Sequence, residues 1–293
     1  MSSGAKARFL LAQMSELKLR PPTAIAEDSS ELREGGWAER VGHTGWVRAR
    51  AVSVRDRPWR AVDARDFAIS QGALNPMPLL FEDLNGDPAI QGWLHKPARP
   101  TGKAVVLTHG AGADCQSKLL VEMSNAFAES GFTVLRFDLP FRRERRHGPP
   151  SPSGAARDRD GLRRAVSIMR GQKNIQVFLG GHSYGGRQAS MLVSEDPQLA
   201  DGLLLLSYPL HPPRKPNQLR TSHFPKLTTP TFFVHGTRDP FGTTAEMNSA
   251  LELIPGSHAM FEVDGAGHDL LPKGIANELP SRVVSEFKMF LKT

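Results

Sequence analysis

The chain has 293 residues, 39% hydrophobic and 23% charged, enough to bury a core of ordinary α/β size, roughly 200–250 residues, with a segment to spare. Much of its formal net charge of +7 lies in an arginine-bearing leader (Arg48, Arg50, Arg55, Arg57, Arg60, Arg65) and in the run Arg142, Arg143, Arg145 and Arg146. No aromatics interleave with that run, one cysteine excludes an internal disulfide framework, and no window approaches the roughly 18 apolar residues of a membrane span, so a nucleic-acid platform, a disulfide scaffold and a transmembrane protein are set aside.

Residues 1–76 show no sustained apolar period and are expected to form a disordered or loosely packed extension. The run Phe9-Leu10-Leu11-Ala12 is too short for a signal-peptide core, and Glu27, Asp28, Glu31, Glu34 and Glu39 argue against a transit peptide, so the expected location is the cytoplasm. From residue 77 to 293 short apolar runs alternate with helical stretches, the pattern of βαβ units around a mostly parallel sheet. Residues 79–84 and 89–94 flank Asn85-Gly86-Asp87 and predict an antiparallel hairpin. A buried strand follows at 104–107, then a helix over 117–130 with Leu119, Leu120, Met123 and Phe127 on one face, ended by Gly131.

The next strand is expected at 133–137, before a Pro- and Arg-rich excursion, 139–156, that reads as too polar for core. That excursion sits where a lid or substrate-selecting segment could lie, and its arginines would favour anionic substrates. A helix over 157–170, a strand at 175–179, a helix at 186–194 and strands at 202–206 and 231–234 come next. A helix at 244–254, a strand at 260–263 and a last helix near 280–291 complete the series, without internal repeats.

The sharpest motif is Gly181-His182-Ser183-Tyr184-Gly185, directly after an apolar strand and before a helix-forming stretch. A strand turning abruptly into a helix forces its serine into a strained conformation, where only glycine neighbours avoid collision. The hydroxyl is thereby raised over the sheet edge, above a helix N-terminus. Such a hydroxyl attacks only if a base takes its proton, and among ten histidines His268 fits best, in the glycine-flanked loop after the last predicted strand. The acid that orients it is expected between the two at a strand end, where Asp239 sits in His235-Gly236-Thr237-Arg238-Asp239; Asp264 and Asp269 compete only on sequence proximity.

A tetrahedral oxyanion needs backbone donors, one from the residue after the nucleophile, Tyr184, and one from the small-residue loop after an earlier strand, for which Ala111 is chosen over Gly112. His109 and His211 are candidate pocket residues, His182 is expected to pack in the turn, and Cys115 reads as a small buried thiol. No His, Cys, Asp and Glu grouping has metal-ligand spacing and no glycine pattern marks a dinucleotide or phosphate site, so neither metal nor cofactor is expected.

Thr108-His109-Gly110-Ala111, the run Phe178-Leu179-Gly180-Gly181-His182-Ser183 with Arg187, and Ser207-Tyr208-Pro209-Leu210-His211 resemble the α/β-hydrolase superfamily. The resemblance covers about 79–292 and is narrower toward the dienelactone-hydrolase-like branch that includes a testis-expressed hydrolase-like protein and a chromatin acetyltransferase complex subunit. It implies an α/β-hydrolase fold with Ser183, Asp239 and His268 on the triad positions. Dienelactone hydrolases proper carry cysteine where this chain has Ser183. The expected function is hydrolysis of a small acyl substrate, an ester, thioester or lactone, by an acyl-enzyme route without nucleic-acid or membrane partners. The rival readings are a non-catalytic interaction scaffold and a serine peptidase acting on short peptides.

Overall fold

The computed structural model describes residues 77–171, 174–271 and 278–292, so the expected 1–76 extension lies outside the described residues. The runs on either side of Asn85-Gly86-Asp87 pair as the predicted antiparallel hairpin, β1 (Leu79–Asp83) with β2 (Ile90–His95), and β2 pairs antiparallel with β4 (Phe132–Phe137). The remaining pairings are parallel, through β3 (Lys103–Thr108), β5 (Gln176–His182), β6 (Gly202–Leu206), β7 (Thr231–Gly236) and β8 (His258–Val263), in the order β1-β2-β4-β3-β5-β6-β7-β8. The central parallel strands are largely apolar, as strands covered on both faces are; β6 is Gly-Leu-Leu-Leu-Leu and wholly buried.

After β3 the chain steps outward to β4 and then returns past β3 to β5, so the strand order reverses between β3 and β5. At such a reversal the loops leaving the carboxyl ends of neighbouring strands diverge and open a crevice, which is where open α/β sheets bind ligands.

One face of the sheet is covered by α1 (Lys118–Glu129) and α6 (Leu279–Phe290). The other is covered by α3 (Ala155–Arg170), α4 (Tyr184–Glu195) and α5 (Thr244–Leu251). In α1 the buried side chains include Leu119, Leu120, Met123 and Phe127, the stripe that its sequence period requires. Its C-terminus hands over to Gly131 at φ +91°, a backbone conformation that side chains resist. The helix α4 starts at Tyr184, two residues earlier than its composition predicts, because it must begin where β5 turns.

The segment 139–156 departs from its expectation. Pro140 opens a short helix, α2 (Pro140–Glu144), immediately after β4, and Leu139, Pro140, Phe141 and Arg142 are buried. Phe141 meets the Tyr184 ring edge-on at 5.7 Å, and its N–H donates to Asp158 at 3.0 Å. The rest of the segment, from Arg143 on, is exposed or half-buried, and its polarity masks the buried start when the segment is read as a whole.

Phe287 is fully buried where α6 meets the sheet, with ring centroids 5.4 Å from Phe178, 5.8 Å from Phe127 and 5.9 Å from Phe232. Phe287→Ala is therefore expected to cost about 3–5 kcal/mol of unfolding free energy by urea denaturation. A loss under 1 kcal/mol would mean that α6 is not docked on this face.

Candidate active site

Ser183 lies between the last residue of β5 and the first of α4, at φ 51° and ψ −115°, a strained conformation for a serine. The turn is possible because Gly181, Gly185 and Gly186, which approach each other and the loop after β3 most closely, have no side chains. A Cβ on Gly181 would lie 2.8 Å from the Gly185 carbonyl carbon, one on Gly185 would lie 2.6 Å from the His109 oxygen, and one on Gly186 would lie 2.6 Å from the Gly181 oxygen. The Ser183 N–H donates to Leu206 O at 2.8 Å, tying the turn to the end of β6.

His268 and Asp239 arrive from the two strands at the far edge. The His268 Nε2 lies 2.8 Å from Ser183 Oγ, and its Nδ1 lies 2.8 Å from Asp239 Oδ2. The carboxylate oxygen can only accept, so the Nδ1–H donates to it and Nε2 is left to accept the serine hydroxyl proton. Asp239 is 4% exposed, and its other oxygen accepts the Phe241 N–H at 2.8 Å, which fixes the carboxylate. Asp264 is engaged elsewhere, accepting from Thr237 Oγ1 at 3.3 Å.

The loops that bring these two residues are fastened to each other. Arg238 N–H donates to Ala266 O at 2.9 Å and Thr237 N–H to Val263 O at 3.1 Å. Gly236, which ends β7, is crossed so closely that a Cβ there would lie 2.4 Å from Ala266 O and 2.6 Å from Gly267 O. A glycine is thus needed in the loop of the acid to let the loop of the histidine pass.

Two contacts that sequence reasoning missed hold His268 in place. Phe241 stacks on its imidazole with centroids 4.1 Å apart and planes at 28°. His182 donates from Nε2 to His268 O at 2.7 Å, so the residue beside Ser183 fastens the backbone of the histidine above it. The signal for Phe241 was its place two residues after Asp239; nothing in the sequence marked the bond from His182.

Ala111 sits in the loop after β3. Gly110 brings that loop against the serine, since a Cβ on it would lie 3.3 Å from Ser183 Cβ, whereas Gly112 faces open space. Among the described residues the Ala111 N–H has no protein acceptor, and Tyr184, as the first residue of α4, has no intrahelical acceptor for its own. The Tyr184 side chain points away, donating to the buried carboxyl of Asp158 at 2.7 Å.

The two histidines proposed as pocket residues are otherwise engaged. His109 is fully buried; its Nδ1–H donates to Gly110 O at 2.9 Å and its Nε2 accepts from Leu139 N–H at 3.1 Å, so it buttresses the loop from behind. Burial holds its pKa below the ordinary histidine value. His211 is 5% exposed, with its Nδ1–H on Pro212 O at 2.8 Å and its Nε2 3.5 Å from Glu246.

Cys115 is buried, and burial, followed by Asp138 nearby, raises its thiol pKa, the opposite of an activated nucleophile. Arg187 lies one helical turn after Ser183, with its Nε buried and, among the described residues, without a hydrogen-bond partner. Of the arginine run, Arg142 is buried on backbone carbonyls, Arg143 donates to Ala89 O and Arg145 to Pro149 O, so those three guanidinium groups are held by the protein's own backbone. No group of three or more His, Cys, Asp or Glu able to hold a metal occurs among the described residues, and no helix among them is long and apolar enough to cross a membrane.

This sheet, with its reversal between β3 and β5 and its serine, histidine and aspartate on three strand ends, has the architecture of an α/β-hydrolase. The chain belongs to that family: the alpha/beta hydrolase domain family matches residues 101–288. Among solved structures it is similar to a dienelactone hydrolase from Anabaena variabilis, at 21% identity and a TM-score of 0.59, covering 73% of this chain and 97% of that one. It is also similar to an alpha-beta serine hydrolase homologue from Coxiella burnetii (15% identity, TM-score 0.59, covering 74% and 99%). A third is an α/β serine hydrolase without lid from Xanthomonas campestris (15% identity, TM-score 0.58, covering 76% and 98%). At these identities the shared property is the fold.

His95, His182 and His223 each have a pKa lowered from 6.5 to about 4, burial being the first cause in every case; Arg136 adds to it at His95 and Arg187 at His223. The unfolded chain takes up these protons at an ordinary histidine pKa. Stability contributed by the neutral rings is therefore full above 6.5 and is lost as pH falls from 6.5 toward 4. The urea midpoint should drop steadily across that window, and His95→Gln should flatten the slope. A midpoint that does not move would show that these rings are not held neutral.

Proposed function

We propose that the chain is a serine hydrolase that cleaves a small ester, thioester or lactone through an acyl-enzyme intermediate. The observation that carries this reading is the continuous line of two 2.8 Å contacts from Ser183 Oγ through the His268 imidazole to Asp239. Ser183 Oγ attacks the carbonyl carbon while its proton passes to His268 Nε2, and Asp239 stabilises the imidazolium that results. The oxyanion takes the N–H groups of Ala111 and Tyr184. Collapse of the tetrahedral species breaks the bond to the leaving oxygen or sulfur, which takes the proton from His268. Water then attacks the acyl carbon, gives a proton to the same nitrogen, and the acid leaves as Ser183 recovers its hydrogen.

Membership of the family supports hydrolysis in general, and the serine, with Cys115 buried and its thiol pKa raised, supports an oxygen nucleophile. The test is reaction with a fluorophosphonate probe alongside Ser183→Ala and His268→Ala. Labelling of the parent alone is expected, together with hydrolysis of p-nitrophenyl esters of short acids. Asp239→Asn should keep the fold but lower kcat by about a thousandfold or more, because the histidine tautomer is no longer fixed. Equal labelling of parent and both alanine variants would remove the proposal; a folded parent that neither labels nor turns over any ester or peptide would favour a non-catalytic scaffold.

A further inference from the structure

The direction of a backbone N–H is set by the peptide planes on either side of its residue, so a loop that donates to an oxyanion must have its carbonyls held from outside the site. Gly110 O, on the plane that carries the Ala111 N–H, accepts from His109 Nδ1–H at 2.9 Å and from Ala113 N–H at 3.2 Å. Ala111 O, on the next plane, accepts from Arg142 Nη2 at 2.7 Å, and Ala113 O accepts from Arg142 Nε at 2.8 Å.

The remaining donors of the same guanidinium face the exposed stretch after α2: Nη1 bonds Arg146 O at 2.7 Å and Arg145 O at 3.3 Å, and Nη2 also bonds Gly148 O at 3.2 Å. All five N–H groups of Arg142 are thus matched by backbone carbonyls, and the side chain has no carboxylate ion-pair partner among the described residues. The residue is 7% exposed, so its charge is held by carbonyl dipoles that must stay oriented toward it. Neither the loop 109–113 nor the stretch 145–148 can shift without unmaking some of these bonds.

We propose that Arg142 is a positioning residue of the reaction centre: it fixes the Ala111 and Ala113 carbonyls and so aims the Ala111 N–H at the oxyanion, and it couples the 145–148 stretch to that geometry. This rests on the reading of Ser183 as nucleophile and Ala111 as donor. The interaction it supports exists only once charge develops on the carbonyl oxygen, so its loss lowers kcat and leaves KM nearly unchanged. Lysine keeps the charge but has three donors on one atom, which cannot span carbonyls on two segments, so it does not replace the arginine.

The experiment compares wild type with Arg142→Lys and Arg142→Gln on a p-nitrophenyl ester, with kcat normalised to the fraction of sites that a fluorophosphonate titrates. The inhibition constant of an aliphatic trifluoromethyl ketone, which adds to the serine as an oxyanion, is measured beside it. Expected for both variants is a fall in kcat of roughly tenfold to a hundredfold, with KM within about twofold and the ketone weakened by the same factor as kcat/KM. Millimolar guanidinium should restore part of the kcat of Arg142→Gly. If the glutamine form does not accumulate, the lysine form, close in size and charge, decides the question alone.

Variants that melt earlier but keep kcat per titrated site and ketone affinity would show that Arg142 only holds the fold, and would overturn the inference. A wild type that neither labels nor turns over esters would instead overturn the serine-hydrolase reading, and this inference with it.

Discussion

A serine backbone at φ 51°, held between a strand and a helix, is the constraint on which the rest of the site depends. A turn that tight brings α4 so close to β5 and to the loop after β3 that the elbow must be glycine at 181, 185 and 186. The same closeness sets the loop of Gly110 against Ser183, where a Cβ on Gly110 would lie 3.3 Å from the serine Cβ. Strain of this kind persists only when the surroundings over-determine it. Here they do, through the Ser183 N–H on Leu206 and through a parallel sheet whose strands on both sides of β5 are buried.

The remaining parts are held by cross-links between loops more than by strand ends alone. The acid loop after β7 and the histidine loop after β8 share backbone hydrogen bonds and pass in contact at Gly236. Phe241 covers one face of the imidazole, and His182 reaches from the elbow to the His268 carbonyl. The loop after β3 is fastened from behind by His109 and Arg142. Several of these fasteners are titratable or charged, yet they act through hydrogen bonds to backbone, and His95, His182 and His223, buried or half-buried, have their pKa values lowered by their surroundings. The loops around Ser183 are thus held largely by side chains that bond the backbone of neighbouring loops.

The order of strands and helices was legible because hydrophobic period and turn residues report it directly; element ends slipped by a few residues where tertiary contacts set them, as at Tyr184. Ser183, Asp239 and His268 could be picked out because each follows a strand in a glycine-marked turn, and the structure brings them within hydrogen-bond distance. His109 and His211 illustrate what was not legible: a histidine after a strand reads as a pocket residue, but whether its ring faces the crevice or the protein depends on what packs behind it. Arg142 is the strongest case. In sequence it is one of a cluster of arginines in a polar excursion; in the fold it is buried while Arg143 and Arg145 are exposed, because Pro140 starts a helix that turns only the first residues inward. Composition averaged over a segment cannot separate residues that differ only in which way one helical turn points them.

The most direct test of the central claim is mass spectrometry of protein quenched in acid during turnover of a p-nitrophenyl ester, followed by peptide mapping. An acyl group on the peptide containing Ser183, lost as the substrate runs out and absent in Ser183→Ala, is the expected result. Turnover with the acyl group on another residue would contradict Ser183 as the nucleophile, and turnover that persists at full rate in Ser183→Ala would contradict it equally.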